Sequence, residues 1–298
     1  MGVGEATFGS VFFGAVTSLS GVVMTATAAW NDQPRLAYGN AVGGIAAQTA
    51  ALAVADFFYR KANLEHAAAS LENMLFGTLL VSLLTVAAMG SVAPDFTVLG
   101  VHPTSVVLVA AYVVGLRFAR AIHAHPQWRP EKTTGTVEDV PDEDRGGRSA
   151  VSLWAAFAVL GALASIGGWA IATAASSISE ATGLGAGIVG TVLMGVVNAL
   201  PETVTSVAAV RRGALTLAVG GILGGNTFDV LNLAVGDAFY RKGSLYHAAE
   251  PDDLFFTLAA LLMTSVVLAG LLRREREGFA ASAPKASCSL SSTRSRSP

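Results

Sequence analysis

The sequence is poor in charged residues and in cysteine. Charged side chains make up 13% of its 298 residues, whereas soluble domains carry about 25%. The formal net charge of −2 gives no electrostatic basis for a nucleic-acid partner. The single cysteine, Cys288, lies in a polar tail, so a disulfide framework and a thiolate metal site are excluded, and no resident cofactor is expected.

The amino terminus lacks the basic segment that opens a signal peptide. The first ten residues, MGVGEATFGS, contain neither Lys nor Arg. We therefore expect the first apolar run to be a retained membrane span.

Apolar residues, by contrast, are abundant. They make up 52% of the chain, and the mean hydropathy is +0.55. They fall into eight runs of about 20 residues, the length that a helix needs to cross a bilayer. The sequence therefore predicts an all-α, polytopic membrane protein embedded in lipid. The eight predicted spans are 8–29, 36–57, 73–89, 97–116, 150–175, 183–207, 214–239 and 254–272.

One long hydrophilic stretch divides the spans into two sets of four. The predicted organisation is a first half at 1–119, a hydrophilic loop at 120–149, a second half at 150–272 and a tail at 273–298. The tail is rich in serine and low in complexity, so we expect it to be disordered. Because Lys and Arg concentrate around the loop, we expect a multi-pass protein of the cell membrane with the loop and both termini in the cytoplasm.

The two halves contain an internal repeat. Residues 14–68 align with residues 195–249 without a gap, at an offset of 181, and the block FYRK occurs in both copies. Five crossings lead from the second span to its copy, the seventh, so the copies have opposite orientations. Inverted repeats are typical of secondary transporters, whose binding sites lie between the copies near mid-membrane. The open alternative is a repeat that only builds a symmetric bundle.

Acidic residues occur inside two apolar spans of the second copy. Glu202 follows Pro201 in the sixth span, and Asp229 follows Asn226 by three residues in the seventh. An ionisable side chain at such depth costs about 2.5–3.5 kcal/mol on insertion scales, which favours a functional role. Carboxylate and amide oxygens suit Ca²⁺, Na⁺ or H⁺. The alternative is a buried Glu–Asn hydrogen bond that only joins two helices.

Proline and glycine in these spans predict irregular backbone. Pro201 cannot donate to the carbonyl of Val197, so we expect it to bend the sixth span. In the seventh span, the pairs Gly220-Gly221 and Gly224-Gly225 predict close helix approach or unwinding.

At these residues the sequence resembles the cation/calcium exchanger superfamily, that is, the sodium/calcium exchangers and their bacterial relatives. The second copy carries Leu200-Pro201-Glu202 and Thr205-Ser206, followed by Gly220, Gly224, Asn226 and Asp229; the first copy carries Thr17-Ser18-Leu19 and the run GNAVG at 39–43. The resemblance implies a central site for transported cations, with ligands at Glu202, Asp229, Asn226, Asn198, Thr17, Ser18 and Gln48.

The first copy departs from the family pattern. Ser20-Gly21 stands where the family has Pro-Glu, and Gln48 stands where it has Asn or Asp. The loss of one carboxylate from a low-dielectric site is expected to weaken divalent binding. The family usually has ten spans, against the eight found here.

These features predict a secondary active antiporter that moves Ca²⁺ or a related cation in exchange for Na⁺ or H⁺. Transport needs no covalent chemistry, so we do not expect an enzyme, and no HExxH or GxSxG motif supports one. The open alternative is a degenerate family member without Ca²⁺ exchange, which moves a monovalent cation or serves as a non-transporting partner subunit. The sequence makes no prediction of oligomeric state.

Overall fold

A computed structural model describes residues 18–58, 68–124 and 150–273. Within these ranges every regular element is a helix, and α6 is a composite of α-helical and π-helical turns. The helices are α1 (Leu19–Trp30), α2 (Pro34–Phe58), α3 (Leu71–Gly90), α4 (Pro103–Ala124), α5 (Ala150–Thr182), α6 (Ala186–Arg212), α7 (Leu215–Asp229), α8 (Leu231–Phe239) and α9 (Pro251–Arg273).

The helices account for the predicted membrane spans. Among the described residues, six segments are long and apolar enough to cross a bilayer: α3, α4, α5, α6, the α7–α8 pair and α9. Helix α2 has 25 residues and carries buried polar side chains at Asn40, Gln48 and Thr49. With α2 and the 12 described residues of α1, the helices follow the order of the eight predicted spans. The all-α, polytopic prediction is confirmed.

Two helices continue well past their predicted ends. The fifth span was expected to end at residue 175, with a loop near Ser177, but α5 continues to Thr182. The hydroxyls of Ser177 and Thr182 donate to carbonyls four residues back, so these polar residues continue the helix. The turn comes at Gly183, where φ is 71°. Helix α4 likewise passes the predicted end at residue 116 and reaches Ala124.

The irregular backbone occurs near the proline and glycine residues of these spans, and not at those residues. Helix α6 continues through Pro201, and its deviation is a π-helical segment at Val189–Met194. The glycine pairs of the seventh span remain helical in α7. The interruption comes at Val230, where the N–H of Leu233 donates to a carbonyl only three residues back, at 3.1 Å. Of the two alternatives predicted for the glycine pairs, the structure shows close approach at Gly220, where a Cβ atom would lie 2.7 Å from Asn73 Oδ1, and no unwinding.

The helix boundaries reproduce the internal repeat. The offset of 181 carries Pro34 and Phe58, the ends of α2, onto Leu215 and Phe239, the first residue of α7 and the last of α8. Gln48 is carried onto Asp229, and these two residues are hydrogen-bonded to each other at 2.8 Å. Equivalent residues of two copies touch only where the copies meet, so this pair marks the repeat interface.

Helix α2 packs against α6 through glycine. A Cβ atom on Gly39 would lie 2.8 Å from the carbonyl oxygen of Gly187, and one on Gly195 would lie 2.5 Å from the carbonyl carbon of Gly43. A Cβ on Gly43 itself would overlap Thr191. Small residues thus bring a first-copy and a second-copy helix into backbone contact.

One end of the bundle, here called the Trp30 end, carries several ion pairs. Helices α1 and α8 both finish there, with the rings of Trp30 and Phe239 6.3 Å apart. Arg241 lies over the Trp30 ring at 5.5 Å, and Lys242 pairs with Asp32.

At the same end, Arg35 joins the start of α2 to the start of α9. Its guanidinium contacts Glu250 at 2.8 Å, Asp252 at 2.6 Å and the buried Asp253 at 3.0 Å. A buried Asp237 secures the neighbouring loops, because its carboxylate accepts from the N–H groups of His102 and Leu245.

Candidate cation-binding site

Two carboxylates are buried at the repeat interface. Asp229, the last residue of α7, is fully buried, and Glu202 in α6 is 5% exposed. The Gln48 amide lies near both, because it is hydrogen-bonded to Asp229 and, like Glu202 Cγ, lies next to Gly225. Buried carboxylates require compensation by a cation, a proton or hydrogen-bond donors. Their arrangement therefore favours a site that receives positive charge.

The first copy supplies neutral groups to the same place. The Gln48 amide donates to Asp229 Oδ2 at 2.8 Å. The Ser18 hydroxyl at the start of α1 is buried and has no hydrogen-bond partner within the described ranges. A Cβ atom on Gly225 would lie 3.7 Å from Gln48 Oε1 and 3.8 Å from Glu202 Cγ. Because Gly225 has no side chain, there is space between Gln48 and Glu202.

Asn226 is held in place by a short hydrogen-bond chain. Its Nδ2 donates to the Thr49 hydroxyl at 3.1 Å, and that hydroxyl donates to the Ile45 carbonyl at 2.8 Å. Its Oδ1 is buried and has no hydrogen-bond partner within the described part of the chain. The amide oxygen is thus available to a cation.

Asn198 fills the space next to Gly21. A Cβ atom on Gly21 would overlap Asn198 Oδ1, and one on Gly44 would lie 2.7 Å from Asn198 Nδ2. Asn198 is 1% exposed, and neither polar atom of its amide has a hydrogen-bond partner among the residues described. A second-copy amide therefore occupies the position that a longer side chain at residue 21 would take.

Six of the seven predicted site residues lie within the described ranges and are buried, and Thr17 lies outside the described residues. The six are Ser18, Gln48, Asn198, Glu202, Asn226 and Asp229. Sequence reasoning missed two further residues. Thr49 positions Asn226. The Nδ2 of Asn40 donates to the Gly21 carbonyl at 3.1 Å and to the Thr25 hydroxyl at 2.9 Å. Asn40 belongs to the GNAVG run, where its polarity was the available signal.

The donor set is mixed and carries few charges. In residues 18–58, 68–124 and 150–273 no group of three or more His, Cys, Asp or Glu side chains could hold a metal ion. Two carboxylates with neutral amide and hydroxyl oxygens suit a hard cation.

Comparison with known proteins identifies the family. The family model described as "Sodium/calcium exchanger protein" matches residues 1–120 and 152–290, which is most of the chain. The chain belongs to this family. The sodium/calcium exchanger family is a class of membrane transporters and not a class of catalytic enzymes, and membership confirms the resemblance seen in the motifs.

Similarity to one individual member of the sodium/calcium exchanger family is limited to part of the chain. The chain is 33% identical over 91 residues to the sodium/calcium exchanger MaX1 of Methanosarcina acetivorans; the match covers 30% of this chain and spans only 25% of that relative's length.

Among solved structures, the sodium-calcium exchanger NCX_Mj soaked with 100 mM Na⁺ and 10 mM Sr²⁺ has a TM-score of 0.51 and 19% identity, over 90% of this chain and 84% of that one. The same exchanger soaked with 2.5 mM Na⁺ and 10 mM Sr²⁺ has a TM-score of 0.52 and 18% identity, over 90% and 85%. At this identity the likeness shows a shared fold.

Proposed function

We propose that this sodium/calcium exchanger family member is a secondary active antiporter, which moves Ca²⁺ or a related cation in exchange for Na⁺ or H⁺. The observation that carries the proposal is the pair of buried carboxylates, Glu202 and Asp229, at the interface of the inverted copies. A site at such an interface is open to one side of the membrane or the other as the copies rearrange.

Exchange follows from the electrostatics of this pair. In the low dielectric of the bundle, two neighbouring negative charges disfavour an empty site, so one cation leaves as another cation or a proton arrives. Gln48 and Asn226 supply neutral oxygens that replace part of the hydration shell of a bound ion. Covalent chemistry plays no part in this cycle.

A monovalent cation is the second candidate cargo. Gly21 and the Asn198 amide occupy the place where the family has a glutamate, so the site holds two carboxylates and several neutral amides. Divalent binding depends on the number of carboxylates. This composition favours weaker Ca²⁺ binding than in relatives that have the first-copy glutamate. If Ca²⁺ is not transported, Na⁺ or H⁺ is the alternative cargo.

We further propose that the Arg212 end of α6 and both termini face the cytoplasm. The basic residues at the Trp30 end contact acidic or aromatic side chains: Arg35 with Asp253, Lys242 with Asp32 and Arg241 with Trp30. Arg211 and Arg212 at the opposite end have no such partner within the described ranges. Lys and Arg concentrate on the cytoplasmic side whether or not they are paired. Within the described ranges, the ends of α4, α6 and α9 that lie opposite Trp30 carry five of them, against three at the Trp30 end, so the count favours this orientation.

The test is ⁴⁵Ca²⁺ uptake into proteoliposomes under an imposed Na⁺ or H⁺ gradient. We expect gradient-driven uptake by the wild type and its loss in Glu202→Gln, which keeps the shape of the side chain and removes the charge. Glu180→Gln is the matched control, because Glu180 is exposed near the end of α5.

Uptake by Glu202→Gln equal to that of the wild type would contradict the proposed site. No uptake by any variant, combined with ²²Na⁺ or proton flux that Glu202→Gln abolishes, would assign a monovalent cargo. The absence of every flux would leave the non-transporting partner subunit as the better description.

A further inference from the structure

Asn232 is a buried amide for which neither the sequence motifs nor the fold supplies a role. It lies in α8, three residues after Asp229, and is fully buried. Neither its Oδ1 nor its Nδ2 has a hydrogen-bond partner among the described residues. An unsatisfied buried amide is costly, so native structures normally provide it with a bonding partner, a water molecule or an ion.

The packing of α8 on α1 gives the position of Asn232. Both helices finish at the Trp30 end, so they run in the same direction. A Cβ atom on Gly236 would lie 3.0 Å from the methyl group of Thr25. Asn232 lies one turn before Gly236 on the same face of α8, and Gly21 lies one turn before Thr25 on α1. Asn232 is therefore level with Gly21.

A second amide reaches the same level from α2. Asn40 is fully buried, and its Nδ2 bridges the Gly21 carbonyl and the Thr25 hydroxyl at 3.1 and 2.9 Å. Its Oδ1 has no hydrogen-bond partner in the part of the chain that the structure describes. Three helices thus bring a carbonyl, a hydroxyl and two amide oxygens to within about one helical turn of each other.

This set of oxygens differs in charge from the Glu202–Asp229 pair. Every oxygen in it is neutral, whereas protein sites for Ca²⁺ rely on carboxylates. Neutral hard oxygens suit an alkali cation. Asp229 precedes Asn232 by three residues, across the interruption at Val230, and its carboxylate stabilises a positive charge nearby.

We propose that the Gly21 carbonyl, Thr25, Asn40 and Asn232 form a separate subsite for a monovalent cation of the Na⁺ class, distinct from the Glu202–Asp229 site. The use of this subsite in exchange rests on the proposed function, but its occupancy does not. From the Trp30 end it lies before the carboxylates, so a cation that enters from that end meets neutral oxygens first.

The test is the thermal stability of the purified full-length protein, titrated with NaCl against choline chloride at constant ionic strength. We expect the wild-type Tm to rise with Na⁺ and Asn232→Leu to need about tenfold more Na⁺ for half of its own rise. Because Leu removes an uncompensated amide, the variant should keep or exceed the wild-type Tm in choline. The Ca²⁺ concentration for half-maximal stabilisation should stay unchanged, since Glu202 and Asp229 are retained.

A second variant and a control keep the test decisive. Asn232→Ser withdraws the amide oxygen with little change in packing and should show the same Na⁺ shift if Asn232→Leu fails to fold. Asn73→Leu is the control, because the Asn73 amide is bonded to the carbonyls of Ala68 and Thr216. It should lower the Tm and leave the Na⁺ midpoint unchanged.

An unchanged Na⁺ midpoint in both Asn232 variants would overturn the subsite and reassign the amides to a structural water. This outcome leaves the proposed function untouched if Glu202→Gln still abolishes uptake. A Na⁺ shift in the Asn232 variants without any cation flux in the wild type would support the subsite and contradict the antiporter.

Discussion

The two copies of the repeat have similar helix positions and differ in the charge of their side chains. At the equivalent positions 21 and 202 the first copy has Gly and the second has Glu; at 48 and 229 the first has Gln and the second has Asp. Helix α2 still begins and ends at residues equivalent to the first of α7 and the last of α8, and Gln48 still meets Asp229 across the interface. Helix length and glycine contacts therefore maintain the symmetric scaffold, while the side chains of the cation site can differ between the two copies.

Returning a carboxylate to the first copy should give the largest change. Gly21→Glu alone should fold poorly, because the new side chain overlaps the Asn198 amide. Combined with Asn198→Ala it should bind Ca²⁺ more tightly, since an added unit charge about 4 Å from a divalent ion contributes up to about 8 kcal/mol at an effective dielectric of about 20. Isothermal titration with Ca²⁺ measures the affinity.

Asn198→Ala is the control for the double variant. It opens the space without adding charge and should not strengthen Ca²⁺ binding. If the double variant and Asn198→Ala bind Ca²⁺ equally, the space next to Gly21 is not part of the cation site.

The Arg35 cluster exists in only one copy, because the residue equivalent to Arg35 is Thr216. Arg35→Ala leaves the buried Asp253 carboxylate without its main counter-charge. We expect the free energy of unfolding to fall by about 3–5 kcal/mol, as when one partner of a buried pair is removed. Chemical denaturation in detergent measures the loss.

Adding Asp253→Asn to Arg35→Ala should restore part of this stability, because it removes the stranded charge. Lys242→Ala, which breaks an exposed ion pair, should leave the Tm unchanged. Equal losses from Arg35→Ala and Lys242→Ala would show that burial of Asp253 does not matter.

The glycine contact between the copies should give a smaller effect. Gly43→Ala places a methyl group on the Thr191 backbone, and we expect a loss of about 1–3 kcal/mol from overpacking. Gly221→Ala, on an exposed helical position without a close neighbour in the described ranges, should stabilise by about 0.5–1 kcal/mol. Thermal unfolding compares the two, and a neutral Gly43→Ala would mean that the helices can separate there.

Much of the architecture could be predicted from the sequence. Apolar runs indicated the spans, and the gapless repeat located the interface at which Glu202 and Asp229 lie. Helix ends were less predictable, since Ser177 and Thr182 bond back to their own helix and let polar sequence continue it. No local pattern in the sequence indicates that Asn198 covers Gly21 or that Asn232 is level with it, because both relations arise from packing between helices.

The contact of Gly43 with Gly195 has a mechanical consequence. No side chains separate α2 from α6 at that crossing. The two backbones are in contact, so no side chain there can change its conformation to let one helix slide past the other. A first-copy and a second-copy helix are thereby joined into one stiff unit. Helix α5, whose membrane-spanning stretch is only 17% buried, and α9, at 22%, lie at the outside of the bundle. We expect the motion that opens the interior to either side to come from such peripheral helices, with α2 and α6 as the fixed frame.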